Sequence, residues 1–138
     1  MKQIVTPWSD AGVGEAMGWA YERRRGTAII DTPNGIMVVK QGNAPFLLPG
    51  GGAKKYESRF NATVRELREE VGLTPYYIQF LFEFKKSKVF LVRAKGIPKP
   101  HHEISQIAYY TPQSNVRLSV DTRRIVDTFL DLKKKYQS

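Results

Sequence analysis

A chain of 138 residues with 41% hydrophobic and 12% aromatic content can bury one sizeable core and scarcely two, so a single domain spanning residues 1–138 is expected. There is no cysteine, which excludes disulfides, thiolate zinc sites and cysteine nucleophiles and fits a reducing, cytoplasmic compartment. Twenty-two Lys and Arg against thirteen Asp and Glu leave a formal charge of +9, which favours anionic partners such as nucleotides, polyphosphates, nucleic acid or acidic lipid, although Lys133, Lys134 and Lys135 place part of the excess in a solvated tail.

The first 25 residues do not read as a signal peptide, because the apolar stretch from Ala11 to Ala20 is broken by Glu15 and by small residues. Runs such as Gly35 to Val39 are far too short to cross a bilayer, so no membrane partner is expected. Arg23, Arg24 and Arg25 then precede the first strand, and solvated surface charge is their default reading. Residues Thr27 to Asp31 and Gly35 to Lys40 predict two strands of a hairpin around Thr-Pro-Asn-Gly. Phe46 to Leu48 predicts a short strand that runs into Pro49-Gly50-Gly51-Gly52, where the absence of side chains permits close backbone approaches.

From Ser58 to Val71 the period becomes helical, with Phe60, Val64, Leu67 and Val71 on one stripe, Ser58 as N-cap and Gly72 as the C-terminal stop. Tyr77 to Phe84 and Val89 to Ala94 predict a second hairpin around Lys85-Lys86-Ser87-Lys88. A loop with His101, His102 and Glu103 follows, then a strand near Ile107 to Thr111. Ser119 caps a last amphipathic helix, Val120 to Lys135, with Ile125, Val126, Phe129, Leu130 and Leu132 on its apolar side. Strands with one helix in the middle and one at the end predict an α+β sandwich in which helices cover a mixed sheet.

At about 100° per residue, Glu66, Glu69 and Glu70 fall within an arc of roughly 100° on the face away from the apolar stripe. Like charges at this spacing destabilise a helix by a few tenths of a kcal/mol per pair, so they call for solvent or a cation, and magnesium takes hard oxygen ligands while leaving positions for water and phosphate. Taken alone, the same face reads more simply as an exposed helix whose glutamates are neutralised by Arg65 and Arg68.

The neighbouring residues decide between these readings. Gly51 is followed after five residues by Glu57, and after seven more by Arg65-Glu66-Leu67-Arg68-Glu69-Glu70-Val71-Gly72-Leu73. This resembles the Nudix box at every defined position over 23 residues, a coincidence expected by chance roughly once in a billion starting positions. Leu48-Pro49-Gly50-Gly51 resembles the usual lead-in. Tyr56 departs from the pattern, since many members have glycine just before the first glutamate.

The resemblance implies a Nudix-like α/β/α sandwich and a magnesium-dependent hydrolase, with Mn²⁺ as a substitute, that cleaves a phosphoanhydride bond. It implies Glu69 and Glu70 as principal metal ligands, Glu66 as a further ligand or the group that orients or deprotonates water, and the Gly50 carbonyl as an additional ligand. It also implies Arg65 and Glu57 as a structural pair that orients the catalytic glutamates and anchors the loop. Glu103 lies where several members carry a further acid that reaches the metals; a surface loop acid is the equal alternative. Gly51 and Gly52, with Lys54 and Lys55 in the loop entering the box, are expected to meet substrate phosphate.

Adjacent histidines in an extended loop point in opposite directions, so at most one of His101 and His102 could face a site, and exposed surface residues are favoured for both. The expected substrate is a small phosphorylated compound, a nucleoside diphosphate linked to another group, acted on by a monomer or homodimer. Two other classes stand beside this: a catalytically silent Nudix-fold module that senses a nucleotide or RNA, and a nonspecific nucleic-acid binder whose affinity would fall steeply with salt without need of divalent metal. The intact box argues against the first, and the lack of an RNA-binding signature against the second.

Overall fold

A computed structural model describes residues 24–137. Arg23 and the stretch from Ala11 to Ala20 therefore lie outside the described residues. The strands are β1 (Arg25–Ile29), β2 (Asp31–Thr32), β3 (Gly35–Gln41), β4 (Gly50–Gly52), β5 (Thr74–Phe84), β6 (Ser87–Lys95) and β7 (Ile104–Tyr110). The helices are α1 (Arg59–Val71), between β4 and β5, and α2 (Val120–Gln137), after β7. None is long and apolar enough to cross a membrane.

Two sheets form, ordered β4-β1-β6-β5 and β2-β3-β7. Among the described strands, only β1 and β6 run parallel, and the other pairs are antiparallel. Strand alternation sorts the apolar side chains into two clusters. Ala28, Met37, Val39, Phe90 and Val92 pack with Leu67 and Val71 of α1. Their neighbours Ile29, Val38 and Val89 pack with Ile125, Val126 and Phe129 of α2. A period of two in the strands thus serves two helical stripes, and the sheets lie as a filling between α1 and α2.

The Thr-Pro-Asn-Gly hairpin forms, but its first arm is β2 rather than the expected Thr27 to Asp31 strand. The chain changes sheets at Ile30, whose carbonyl accepts from Met37 N–H at 3.0 Å, while β1 stays between β4 and β6. Continuous burial of Thr27 to Ile30 disguised this break. Phe46 to Leu48 makes only isolated bridges, Leu47 with Val39 and Phe46 with Leu118, and the strand lies instead in the glycines of β4. The second hairpin closes in two residues, Lys85 and Lys86, and pairs back to Thr74 with Lys95.

Helix α1 begins where Ser58 Oγ accepts from Asn61 N–H at 3.0 Å and ends at Gly72, whose φ of 71° turns the chain aside. Just before it, Tyr56 also adopts a left-handed φ of 66°, with 72% of its surface exposed. A side chain there costs roughly 1–2 kcal/mol. Tyr56→Gly is therefore expected to stabilise the fold by about 0.5–1 kcal/mol, seen as a higher urea midpoint at unchanged slope. A lower midpoint would mean that the ring contributes contacts that outweigh the strain.

Candidate active site

The glycine strand β4 pairs with the start of β1, setting Gly52 opposite Arg25 and Gly50 opposite Thr27. Helix α1 lies directly over this pairing. A Cβ on Gly51 would collide with the Glu66 carboxylate, and one on Gly50, at φ 145°, would collide with the Gly26 carbonyl. The two positions need glycine because the Glu66 side chain at one and the β1 backbone at the other already fill the space a side chain would take.

A cleft of about 330 Å³ opens at this junction, lined by Gly50, Gly51, Gly52, Glu66, Glu70 and Glu103 on one part of its wall and by Arg25, Val39, Gln41, Leu47 and Leu48 on the rest. Glu70 is only 4% exposed and accepts from Gly50 N–H at 3.1 Å. The expectation of three acids on a solvent face is thus corrected: the glycine strand covers Glu70, and Glu69 alone is largely open, with 46% of its side chain exposed. Glu69 does not line the cleft; it faces a separate hollow with Glu57, Asn61 and Arg68.

Arg65 holds these groups in relation. It donates to both oxygens of Glu57 at 2.9 Å, to Glu66 Oε2 and Glu69 Oε1 at 3.2 Å, and to the Gly52 carbonyl at 3.0 Å. Glu57 also accepts from Lys54 N–H at 2.9 Å, so the loop from β4 to α1 is tied at both ends.

Electrostatics divides the acids. Burial works to raise the Glu57 pKa, but hydrogen bonds from Arg65 and from the Lys54 backbone, with the nearby positive charges, bring it below the ordinary carboxylate value. Glu66 goes the other way: burial raises it, Arg65 offsets part, and repulsion from Glu69 and Glu103 adds to the rise. Burial pushes Glu70 up to about 7, against the Gly50 hydrogen bond and with repulsion from Glu66 and Glu103.

Glu103 reaches the cleft because its loop docks on the end of α1. Lys99 N–H donates to the Val71 carbonyl at 3.1 Å and His101 N–H to the Glu70 carbonyl at 2.9 Å, which satisfies helix carbonyls that would otherwise lack partners. Both histidines are exposed and neither lines the cleft.

Lys54 and Lys55 do not line it either. Lys54 engages Glu57 and Arg24 through its backbone, and the Lys55 ammonium lies 5.3 Å from the Tyr56 ring centre. The cation in the cleft is Arg25, from the run read as solvated charge. Arg24 departs from that reading as well: it is buried and donates to the Glu57 carbonyl at 3.0 Å. Only the β1–β4 register reveals Arg25, and nothing local to the sequence marks it.

Among the described residues no three acidic or histidine side chains stand close enough together to hold a metal ion as they are. The chemistry of the donors still fits a hard cation. Glu66, Glu70 and Glu103 present carboxylate oxygens to one cleft, and two of them are raised by burial and mutual repulsion, an environment that a divalent ion would relieve.

A glycine strand set against a carboxylate-bearing helix inside a two-helix sandwich is the arrangement that the resemblance in the sequence implied. Residues 21–129 match the NUDIX domain model, and the chain belongs to the Nudix family, whose activity is that of a hydrolase. It is 38% identical to a protein assigned to the Nudix hydrolase family from Chromobacterium violaceum, with 80% of this chain and 77% of that one covered and a TM-score of 0.73. A MutT Nudix hydrolase from Burkholderia pseudomallei shares the fold at 22% identity, 75% and 94% coverage and a TM-score of 0.61. An ADP-ribose pyrophosphatase from Streptococcus suis does so at 17% identity, 83% and 91% coverage and a TM-score of 0.60. No curated protein is significantly similar to this chain.

Proposed function

We propose that the chain is a divalent-metal-dependent pyrophosphohydrolase acting on a nucleoside diphosphate linked to another group, with Mg²⁺ as its ion and Mn²⁺ as a substitute. One observation carries this reading: Glu66, Glu70 and Glu103 share a cleft with the cation Arg25 beside a strand made only of glycine. Glu66, Glu70 and the Gly50 carbonyl would hold the ion from within the cleft, and Glu69, which faces the neighbouring hollow, would join them by turning its side chain. When bound, it supplies charge neutralisation of the diphosphate and Lewis acidity toward the attacking water.

The chain's own groups do the rest. Gly50 to Gly52 let a diphosphate approach the backbone, and Arg25 offsets charge on a phosphate oxygen. Glu66 accepts the proton of the attacking water, a role suited to a carboxylate whose basicity is raised by burial and by neighbouring acids, and Glu103 is the alternative acid on the same cleft. Glu57 lies outside the chemistry and fixes Arg65, which positions Glu66 and Glu69.

Incubation with a panel of nucleoside triphosphates, nucleotide sugars, ADP-ribose and dinucleoside polyphosphates, with Mg²⁺, with Mn²⁺ and with chelator, tests the proposal. The expected result is metal-dependent release of a phosphomonoester from at least one compound. Absence of turnover across the panel with either ion would overturn it.

A further inference from the structure

Strand β1 starts at Arg25, whose N–H donates to the Lys86 carbonyl at 3.0 Å and which pairs with Ser87 at the start of β6. Beside this end of the sheet a second cavity, of about 640 Å³, reaches to the start of α2. Leu47, Leu48, Phe84, Val120 and Ile125 give it apolar walls. Val120 keeps 70% of its surface exposed and Phe84 is only half-buried, so the described residues leave apolar area there that a further apolar group can cover. Arg25, Lys85 and Lys86 stand around it with one acid, Asp121, which Lys85 meets at 3.2 Å.

The polypeptide reaches this wall from residues 1–23, and residues 1–20 precede the matched Nudix domain. Both tryptophans of the chain, Trp8 and Trp19, lie in that stretch. From Gly12 to Tyr21 every second residue is glycine or alanine, and Val13, Glu15, Met17, Trp19 and Tyr21 alternate with them. In an extended chain such a spacing puts the large groups on one side. The charge of the stretch is also distinct: Asp10, Glu15 and Glu22 are acidic and no Lys or Arg stands between Gln3 and Glu22, in a chain whose formal charge is +9. Trp19 stands six residues before Arg25, which gives it a reach of up to about 20 Å.

We propose that this N-terminal segment folds back on the start of β1 and seats Trp19 in the cavity, its acids meeting the basic rim. An indole is a large apolar body with one polar N–H, suited to leucine, phenylalanine and isoleucine walls beneath a polar edge. The tether decides for the chain's own terminus over a second copy, because a short linker holds the segment at the mouth at an effective concentration of the order of millimolar. Arg25, Leu47 and Leu48 line this cavity and the carboxylate cleft alike, so the seated segment touches side chains that also serve the site.

Tryptophan emission of the full chain tests this. Trp8→Phe leaves Trp19 as the sole tryptophan, and the absence of cysteine lets one substitution carry a nitroxide, which quenches indole emission at short range. The label is placed on the cavity rim at Lys86→Cys or, as a remote control, at Ile97→Cys, which lies past Lys95 and so more than eight residues, roughly 26 Å, along β6 from Ser87. The expected result is Trp19 emission to the blue of that in urea, quenched by the label at 86 and not by the label at 97, at every protein concentration. An unlabelled Trp8→Phe/Val120→Glu chain gives a second reading. An acid at the first residue of α2 suits the helix, yet it sets a charge against the indole and the acidic segment, so the emission should shift toward that in urea while thermal melting stays cooperative. Emission alike in buffer and urea, equal quenching by the two labels, or no shift on Val120→Glu in a folded chain would overturn the proposal. So would quenching that grows with protein concentration, which would put the segment of one copy on another.

Discussion

Glu70→Gln is expected to lower kcat by about 10²–10⁴-fold while leaving the chain folded. The amide keeps an oxygen that can accept from Gly50 N–H, so the strand-to-helix contact at 3.1 Å survives. What disappears is the negative charge that would draw a divalent ion into the cleft. The same change removes a carboxylate that burial already disfavours, so the variant should melt no lower than the wild type in chelator at pH 7.5. Stability kept with activity lost separates a metal ligand from a scaffold residue. Full activity in the variant would place the metal elsewhere.

In chelator, stability is expected to fall as pH rises from about 5 to about 8, by on the order of 3 kcal/mol. The sign follows from Glu70. Its pKa rises from 4.5 to about 7 on folding because burial favours the neutral acid. The folded state therefore holds a proton that the unfolded chain has released, and the stability present below about 4.5 is lost as pH climbs through 7. Glu66 shifts in the same direction and adds to the slope, while Glu57, lowered by Arg65, contributes in the opposite sense at lower pH. Saturating Mg²⁺ should flatten or reverse the trend above pH 7, since only the ionised carboxylate binds the ion. Chemical denaturation at fixed pH with and without metal measures this; a metal-free midpoint that climbs between pH 5 and 8 would refute it.

Much of this site can be read along the chain because its elements are local. Glu57, Arg65, Glu66 and Glu70 sit within one loop and one helix, where a 3.6-residue period and two caps fix relative direction. Ser58, Gly72 and the Val120–Gln137 helix follow from the same local rules. Tyr56 marked itself by occupying a position where glycine is usual, and its φ of 66° gives the physical reason for that usage.

What remained hidden was long-range. Arg25 enters the cleft only because β1 pairs with β4 across the intervening hairpin; Glu103 was named from the sequence with a surface acid as the equal alternative, and its place on the cleft wall comes from the loop after β6 hydrogen-bonding the end of α1. Lys54 and Lys55 are neighbours of the box in sequence, yet the turn needed to bond Lys54 N–H to Glu57 leaves neither on the cleft wall. The switch of sheets at Ile30 was invisible because buried residues on both sides of it look alike in composition.

A guanidinium has five hydrogens to give, and those of Arg65 all go to protein oxygens: Glu57 twice, Glu66, Glu69 and Gly52. None is left over for an incoming ligand. The positive group nearest the reacting acids is thus saturated from within, and an arriving polyanion must find its countercharge in the ion and in Arg25. A lysine in its place, limited to three such hydrogens on one atom, would leave two of these oxygens without their tether.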